Sequence, residues 1–252
     1  MLPPLLLING YAATGADWDP TFLAELERSH RVIHPDNRGV GEMPLGDAEL
    51  TVEAMAADME MLLDREGIAR VPVVGWSMGG FVAQALALRA PERVAALALI
   101  ATDPGGAAAV PAAPEVWQRL VDHSGTPREQ ATRLIDLLFP PPQAEAIDAE
   151  FGEVVAAARG ALSPVTLRAQ EAAMEAWHRE EQPPPGGDAP PTLVLHGGAD
   201  VVIPPTNAAA LLARWPTATT ELFEGAGHAV MAQEPQRVAA AIQAHCAVFT
   251  RT

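Results

Sequence analysis

The chain has 252 residues, 49% of them apolar, which is enough for one sizeable core, and no uninterrupted apolar run reaches the roughly 18 residues that a membrane span needs. Its net charge is −16 and all 16 basic residues are arginines without a basic cluster, which argues against nucleic acid and anionic membrane surfaces as partners; solubility is the plain reading of the acidity. A single cysteine, Cys246, excludes an internal disulfide and a cysteine metal cluster; it reads as a small buried hydrophobe, and the reducing cytoplasm is the expected compartment.

In chain order, MLPPLLLING looks like the apolar part of a secretion signal, but it lacks a basic start and a small-residue cleavage site and runs straight into a glycine turn. Residues 5–8 therefore read as a strand. Further short runs rich in Leu, Val and Ile stand at 31–35, 71–75, 94–101, 192–197 and 219–225. Between them the periodicity is helical. Thr51 is positioned to cap a helix reaching about Glu66, with Val52, Met55, Ala56, Met59, Leu62 and Leu63 on one face and Gly67 as its stop. A second helix follows Ser77 and ends near Arg89, before Pro91. The last opens at Glu234-Pro235, where proline suits a first helical position, and runs to about Phe249. This alternation predicts an α/β fold, a mostly parallel sheet of about six strands flanked by helices.

The rhythm breaks between Asp103 and Pro191. That stretch carries no convincing strand, only helical patterns such as VWQRLVDH, REQATRLIDLLF, AEAIDAEFGEVVAAA and TLRAQEAAMEAWHRE, divided by prolines at 140–142 and closed by QPPPGGDAPP. The predicted organisation is an α/β core formed by 1–103 and 191–252, with a helical cap, or lid, at 104–190.

The stretch VVGWSMGGFV, 73–82, sets a serine between an apolar strand and a helix with glycines on both sides. Ser77 there is either an ordinary helix N-cap or a hydroxyl lifted out of the scaffold on a sharp turn. As a nucleophile it needs a positioned base and a group to orient that base. His228, in the glycine-flanked loop EGAGHAVMAQEP after the last strand, and Asp200, in LHGGADVVIPP after the fifth, supply those chemistries. Taken singly, one is a solvated loop histidine and the other a turn former. Taken together, they place Ser77, Asp200 and His228 each behind a strand, in the chain order that the motif expects. Asp103, after the fourth strand, is a competing acid, and Asp200 is favoured over it.

With these residues the chain resembles the α/β-hydrolase fold superfamily over essentially its whole length, and looks most like its esterase, enol-lactone hydrolase and cofactor-free haloperoxidase group. The resemblance implies that INGYAATGADW, 8–18, is the family's His-Gly turn, with Asn9 where histidine is common, and that the backbone N–H groups of Tyr11 and Met78 form an oxyanion hole. DNRGVGEM, 36–43, is similar to the family's Asp-x-Arg-Gly-x-Gly-x-Ser stretch with Met43 at the final serine; Asp36 and Arg38 are expected to be structural. The chain starts only eight residues before Asn9, so the two N-terminal antiparallel strands of the full family sheet are not expected.

The implied activity is that of a serine hydrolase, a carboxylesterase or lactonase, which cleaves a small to medium, neutral ester or lactone through an acyl-enzyme. Ser77 would be the nucleophile, His228 the base and Asp200 the orienting acid. Alternatives on the same residues are a perhydrolase of the haloperoxidase type and a carbon-carbon bond hydrolase; a non-enzymatic alternative is a ligand receptor on the hydrolase frame. Zinc spacings and a dinucleotide fingerprint are missing, so neither metal nor cofactor is expected. Trp76, Tyr11, Phe139 and Trp177 are the expected substrate-binding residues, with Met78, Trp117 and Met174 as further candidate walls. The sequence sets no oligomeric state.

Overall fold

The computed structural model describes residues 2–249. Six strands, β1 (Pro4–Ile8), β2 (Arg31–Ile33), β3 (Val71–Trp76), β4 (Val94–Ile100), β5 (Thr192–Gly197) and β6 (Thr219–Phe223), form one sheet in the order β2-β1-β3-β4-β5-β6 with every pairing parallel. The helices before the fifth strand are α1 (Pro20–Glu27), α2 (Val52–Arg65), α3 (Met78–Arg89), α4 (Pro114–Leu120), α5 (Pro127–Leu138), α6 (Pro141–Gly160) and α7 (Pro164–Arg179). After it come α8 (Asn207–Arg214), α9 (Val230–Gln233) and α10 (Pro235–Phe249). The α/β architecture read from the alternating runs is the one the chain adopts. Among the described residues no helix is long and apolar enough to cross a membrane.

The strands are apolar on both sides because both faces of the sheet are covered. The pleat sends Leu6 and Ile8 of β1 to one face, where α2 and α3 pack, and Leu5 and Leu7 to the other, where α1 and α10 pack. Val73, Leu97 and Val194 join the first core; Val74, Ala98 and Leu195 join the second. Cys246 lies in the second core, where burial pushes its thiol up to about 12, so packing is its role. The second and sixth strands end earlier than their apolar runs, at Ile33 and Phe223. Both are edge strands with a ladder on one side only.

Local signals explain the helix boundaries. Thr51 Oγ1 accepts from the Ala54 N–H at 3.0 Å and opens α2, and Gly67 follows at φ 67°. The sequence patterns above include neither α1 nor α8, nor the short α9, which falls in the stretch read as the His228 loop. The signal for α1 was present in Asp19-Pro20: the Asp19 carboxylate caps the Phe22 N–H at 2.8 Å and Pro20 takes the first turn.

Residues 104–190 form α4 to α7 and a short 3-10 turn, with no strand among the described residues. The prolines at 140–142 do not merely divide this region. Pro140 is the cap position of α6 and Pro141 its first residue, where a missing N–H costs nothing.

One feature of topology positions everything that follows. After β1 the chain adds β2 on one side and then β3 on the other, so helices leave β1 and β3 on opposite faces and a crevice opens at their carboxyl ends. The Asn9–Tyr11 turn and Ser77 both stand at that edge.

Candidate active site

Ser77 follows β3 directly and has φ 55° and ψ −123°, a conformation that costs a non-glycine residue on the order of 1–3 kcal/mol. Three hydrogen bonds hold it there. The Ser77 N–H donates to the Ile100 carbonyl at 3.0 Å, and the Ser77 carbonyl accepts from the Gly80 N–H at 2.8 Å and the Thr102 hydroxyl at 2.9 Å. The flanking glycines let backbone meet backbone: a Cβ on Gly79 would collide with the carbonyls of Ile8 and Asn9, and one on Gly75 with the backbone of Gly79. Ser77 occupies the N-cap position of α3, yet its side chain makes no cap hydrogen bond. The helix-cap alternative for its hydroxyl therefore fails, and Ser77 lines a cavity of about 1040 Å³.

His228 lines the same cavity. Its Nδ1 lies 2.8 Å from Asp200 Oδ2, with side-chain exposures of 3% and 0%. Asp200 Oδ1 accepts from the Val202 and Ile203 N–H groups at 2.8 and 3.0 Å, so the carboxylate is fixed by its own loop. Burial alone would raise this carboxyl's pKa. The His228 charge and hydrogen bonds from His196 and His228 outweigh it and hold the group at about 2. An ionised Asp200 favours the tautomer with the proton on Nδ1, which leaves the lone pair on Nε2. Trp76 packs its ring 5.7 Å from the imidazole and donates its indole N–H to the His228 carbonyl at 3.1 Å. The next residue anchors this loop to the helical segment, since the Ala229 N–H donates to the Leu138 carbonyl at 3.1 Å. Among the described residues no hydrogen bond joins the Ser77 hydroxyl to His228; the two groups share the cavity.

Asp103 also reaches the cavity, but its Oδ2 lies 2.9 Å from His178 Nε2 and its Oδ1 accepts from the Gly105 N–H at 2.9 Å. Its histidine partner is thus His178 of α7.

The turn after β1 is held from beneath and from the side. Asn9 Nδ2 donates to the Pro35 carbonyl and Asn37 Nδ2 to the Asn9 carbonyl, both at 3.0 Å. Ala12, at φ 57°, donates its N–H to Gln170 Oε1 at 2.9 Å. No described turn, loop or cap hydrogen bond uses the N–H of Tyr11 or Met78. The Tyr11 hydroxyl donates to Glu171 Oε1 at 2.5 Å; burial, then Glu171, push its pKa far above the usual value and keep it protonated. Asp36 accepts from the Gly15 N–H at 2.8 Å, and Arg38 makes a two-point pair with Asp58 at 2.7 and 2.5 Å. Both bind scaffold.

Of the residues expected to line a binding site, Tyr11, Trp76, Phe139, Trp117 and Met174 border the cavity. Trp177 does not: it is 2% exposed and stacks on Phe81 at 5.4 Å, behind the wall. Met78 is likewise fully buried in the core and does not border the cavity. Three residues were missed. His178 and Arg159 face the cavity from the helical segment, and His196, wholly buried, supports Asp200 at 3.4 Å while bonding the Ile203 carbonyl at 2.8 Å. The His196 signal was legible, four residues before Asp200 on the strand leading to it.

The family model for the alpha/beta hydrolase fold matches residues 3–235. A hydrolase from Pseudomonas aeruginosa PA01 superposes with a TM-score of 0.80 at 26% identity, over 97% of this chain and 89% of that one. Among curated proteins, a putative carbamate hydrolase RutD of Variovorax paradoxus is 41% identical over 97 residues, 38% of this chain and 36% of its own. A putative non-heme bromoperoxidase BpoC of Mycobacterium tuberculosis is 39% identical over 100 residues, 39% of this chain and 38% of its own. These curated matches span little more than a third of either protein. A parallel sheet in this strand order, a serine on a strained turn behind β3 and a match running through nearly the whole sequence lead to one statement: the chain belongs to the alpha/beta hydrolase fold family.

Proposed function

We propose that the protein is a serine hydrolase acting on a small to medium carboxylic ester or lactone. Ser77 is the nucleophile: its Oγ attacks the acyl carbon while His228 Nε2 takes its proton. The imidazolium then protonates the leaving alkoxide, and a water activated by the same nitrogen releases the acid and restores Ser77. Asp200 orients the ring and balances its charge. The N–H groups of Tyr11 and Met78 receive the negative charge that develops on the carbonyl oxygen. The single observation that carries this reading is the buried 2.8 Å contact between His228 and Asp200, facing a cavity that also holds an uncapped, backbone-strained serine.

Residues 104–190 act as the lid, supplying Phe139, Trp117 and Met174 to the cavity wall. The expected compartment is the cytoplasm. Hydrolysis of p-nitrophenyl butyrate by the wild type and by Ser77→Ala tests the reading. Serine-dependent turnover supports it, while a rate unchanged by the substitution contradicts it. A receptor on the hydrolase frame would show negligible serine-dependent turnover. The bromoperoxidase relative motivates a second reading, perhydrolysis on the same residues. Peroxide-dependent bromination that disappears with Ser77→Ala, at a rate above ester hydrolysis, would favour it.

A further inference from the structure

Arg159 is a charged side chain on the cavity wall that the proposed hydrolytic steps leave unused. It stands in the last turn of α6, on an inward stripe with Gly152 and Ala156 at spacings of four and three, where the helical repeat calls for an apolar residue. It is 7% exposed, borders the same cavity as Ser77 and His228, and its Nε and Nη1 have no hydrogen-bond partner. Among the described residues no carboxylate forms an ion pair with it. A guanidinium keeps its charge at any physiological pH, so burying it without a counter-ion is costly unless another molecule supplies the negative charge.

The acidic groups that line the cavity, and Glu171 beside Tyr11, do not fill that role. Asp103 is engaged by His178, and Asp19 caps α1. Asp17 and Glu175 stand exposed. Glu171 Oε1 already accepts from the Tyr11 hydroxyl and lies 2.6 Å from His123 Nε2. Tyr11 also relates this charge to the reacting end. Its backbone N–H is the proposed oxyanion donor, and its phenolic oxygen lies beside the Arg159 guanidinium. An anion on Arg159 would therefore sit about the reach of a tyrosine side chain from the carbonyl under attack.

We infer that Arg159 forms an anion subsite in the cavity, which selects ester or lactone substrates that carry a carboxylate away from the reacting carbonyl. This rests on the serine hydrolase reading for the chemistry, but not for the binding. The activity implied by the sequence has a neutral substrate, and a net charge of −16 agrees with that. That charge acts at long range and is screened by salt, whereas the buried guanidinium acts on whatever has entered.

The test compares matched esters: p-nitrophenyl hydrogen glutarate against p-nitrophenyl butyrate, and 4-acetoxybenzoate against its methyl ester, so that the carboxylate lies on the acyl or on the leaving side. In at least one pair the wild type should favour the acid. Arg159→Met should lower kcat/KM for that acid by about 100-fold, the scale of one or two charge-assisted hydrogen bonds, and leave the neutral ester within about threefold. The Arg159→Met protein should melt no lower than the wild type, because a buried unpaired charge has been removed. Equal losses on acid and neutral esters, no preference in either pair, or a lowered melting temperature would overturn the subsite. Binding of monoethyl glutarate to Ser77→Ala, followed by tryptophan fluorescence, separates the two readings. It should persist without the serine and vanish when Arg159→Met is added. If no ester turns over yet this binding holds, the chemistry is wrong and the subsite stands; if this binding is absent, the subsite is wrong.

Discussion

Two histidine–aspartate pairs meet the same cavity, one through His228 alone and the other through both His178 and Asp103, and they differ in how they are held. His228 and Asp200 come from loops at the carboxyl ends of β6 and β5, are 3% and 0% exposed in their side chains, and meet at 2.8 Å. Asp200 is further fixed by two backbone N–H groups and by His196. His178 and Asp103 meet at 2.9 Å, but His178 comes from α7 and its side chain is 32% exposed. At the sheet edge both oxygens of the Asp200 carboxylate are engaged, so it is held in one orientation. The second pair bridges core and helical segment and leaves its histidine about a third exposed on the cavity wall. Similar distances thus belong to differently held pairs, and burial separates them.

The difference can be broken by swapping charge for amide at each acid. Asp200→Asn should lower kcat on p-nitrophenyl butyrate by about 10⁴-fold, the scale seen when an orienting aspartate is neutralised and the imidazole takes the wrong tautomer. Asp103→Asn should cost less than about tenfold, and mostly in KM, because it loosens the wall rather than the base. Steady-state kinetics on both variants decides, and a larger loss at Asp103 reverses the ranking. Stability in acid sharpens the same contrast. The Asp200 carboxyl is held at about 2, below its ordinary value near 4, so its contribution is fully present above about pH 4 and disappears as the pH falls toward 2. Chemical denaturation across that window should show the wild type losing on the order of 2 kcal/mol more than Asp200→Asn. The smallest effect is expected farthest from the chemistry. Arg38→Ala should cost about 1 kcal/mol of stability through its partly buried pair with Asp58, with kcat within about threefold, as thermal melts and the same assay would record.

How far the sequence revealed this molecule depended on whether each signal was local. Strand runs, the Thr51 cap and the glycines beside Ser77 are local signals, and they led to the right elements because backbone sterics and capping act within a few residues. The order of Ser77, Asp200 and His228 was also legible, since each follows a strand. Trp177 was misplaced from the cavity wall because its neighbour Phe81 comes from a different helix, nearly a hundred positions earlier. Arg159 was overlooked because the helical pattern was followed only to its last apolar residue; carrying the stripe of Gly152 and Ala156 one step further would have put an arginine inward. His178 gave no local signal, since its carboxylate partner lies 75 residues away.

Labelling with an alkyl fluorophosphonate tests the central claim most directly, because forming an Oγ–phosphorus bond with loss of fluoride needs an activated serine but no knowledge of the natural substrate. Intact mass and peptide mapping should show one adduct, on the peptide containing Ser77, which is absent in Ser77→Ala and strongly slowed in His228→Gln. A wild-type protein that takes no label, or takes it equally well without His228, would contradict the account.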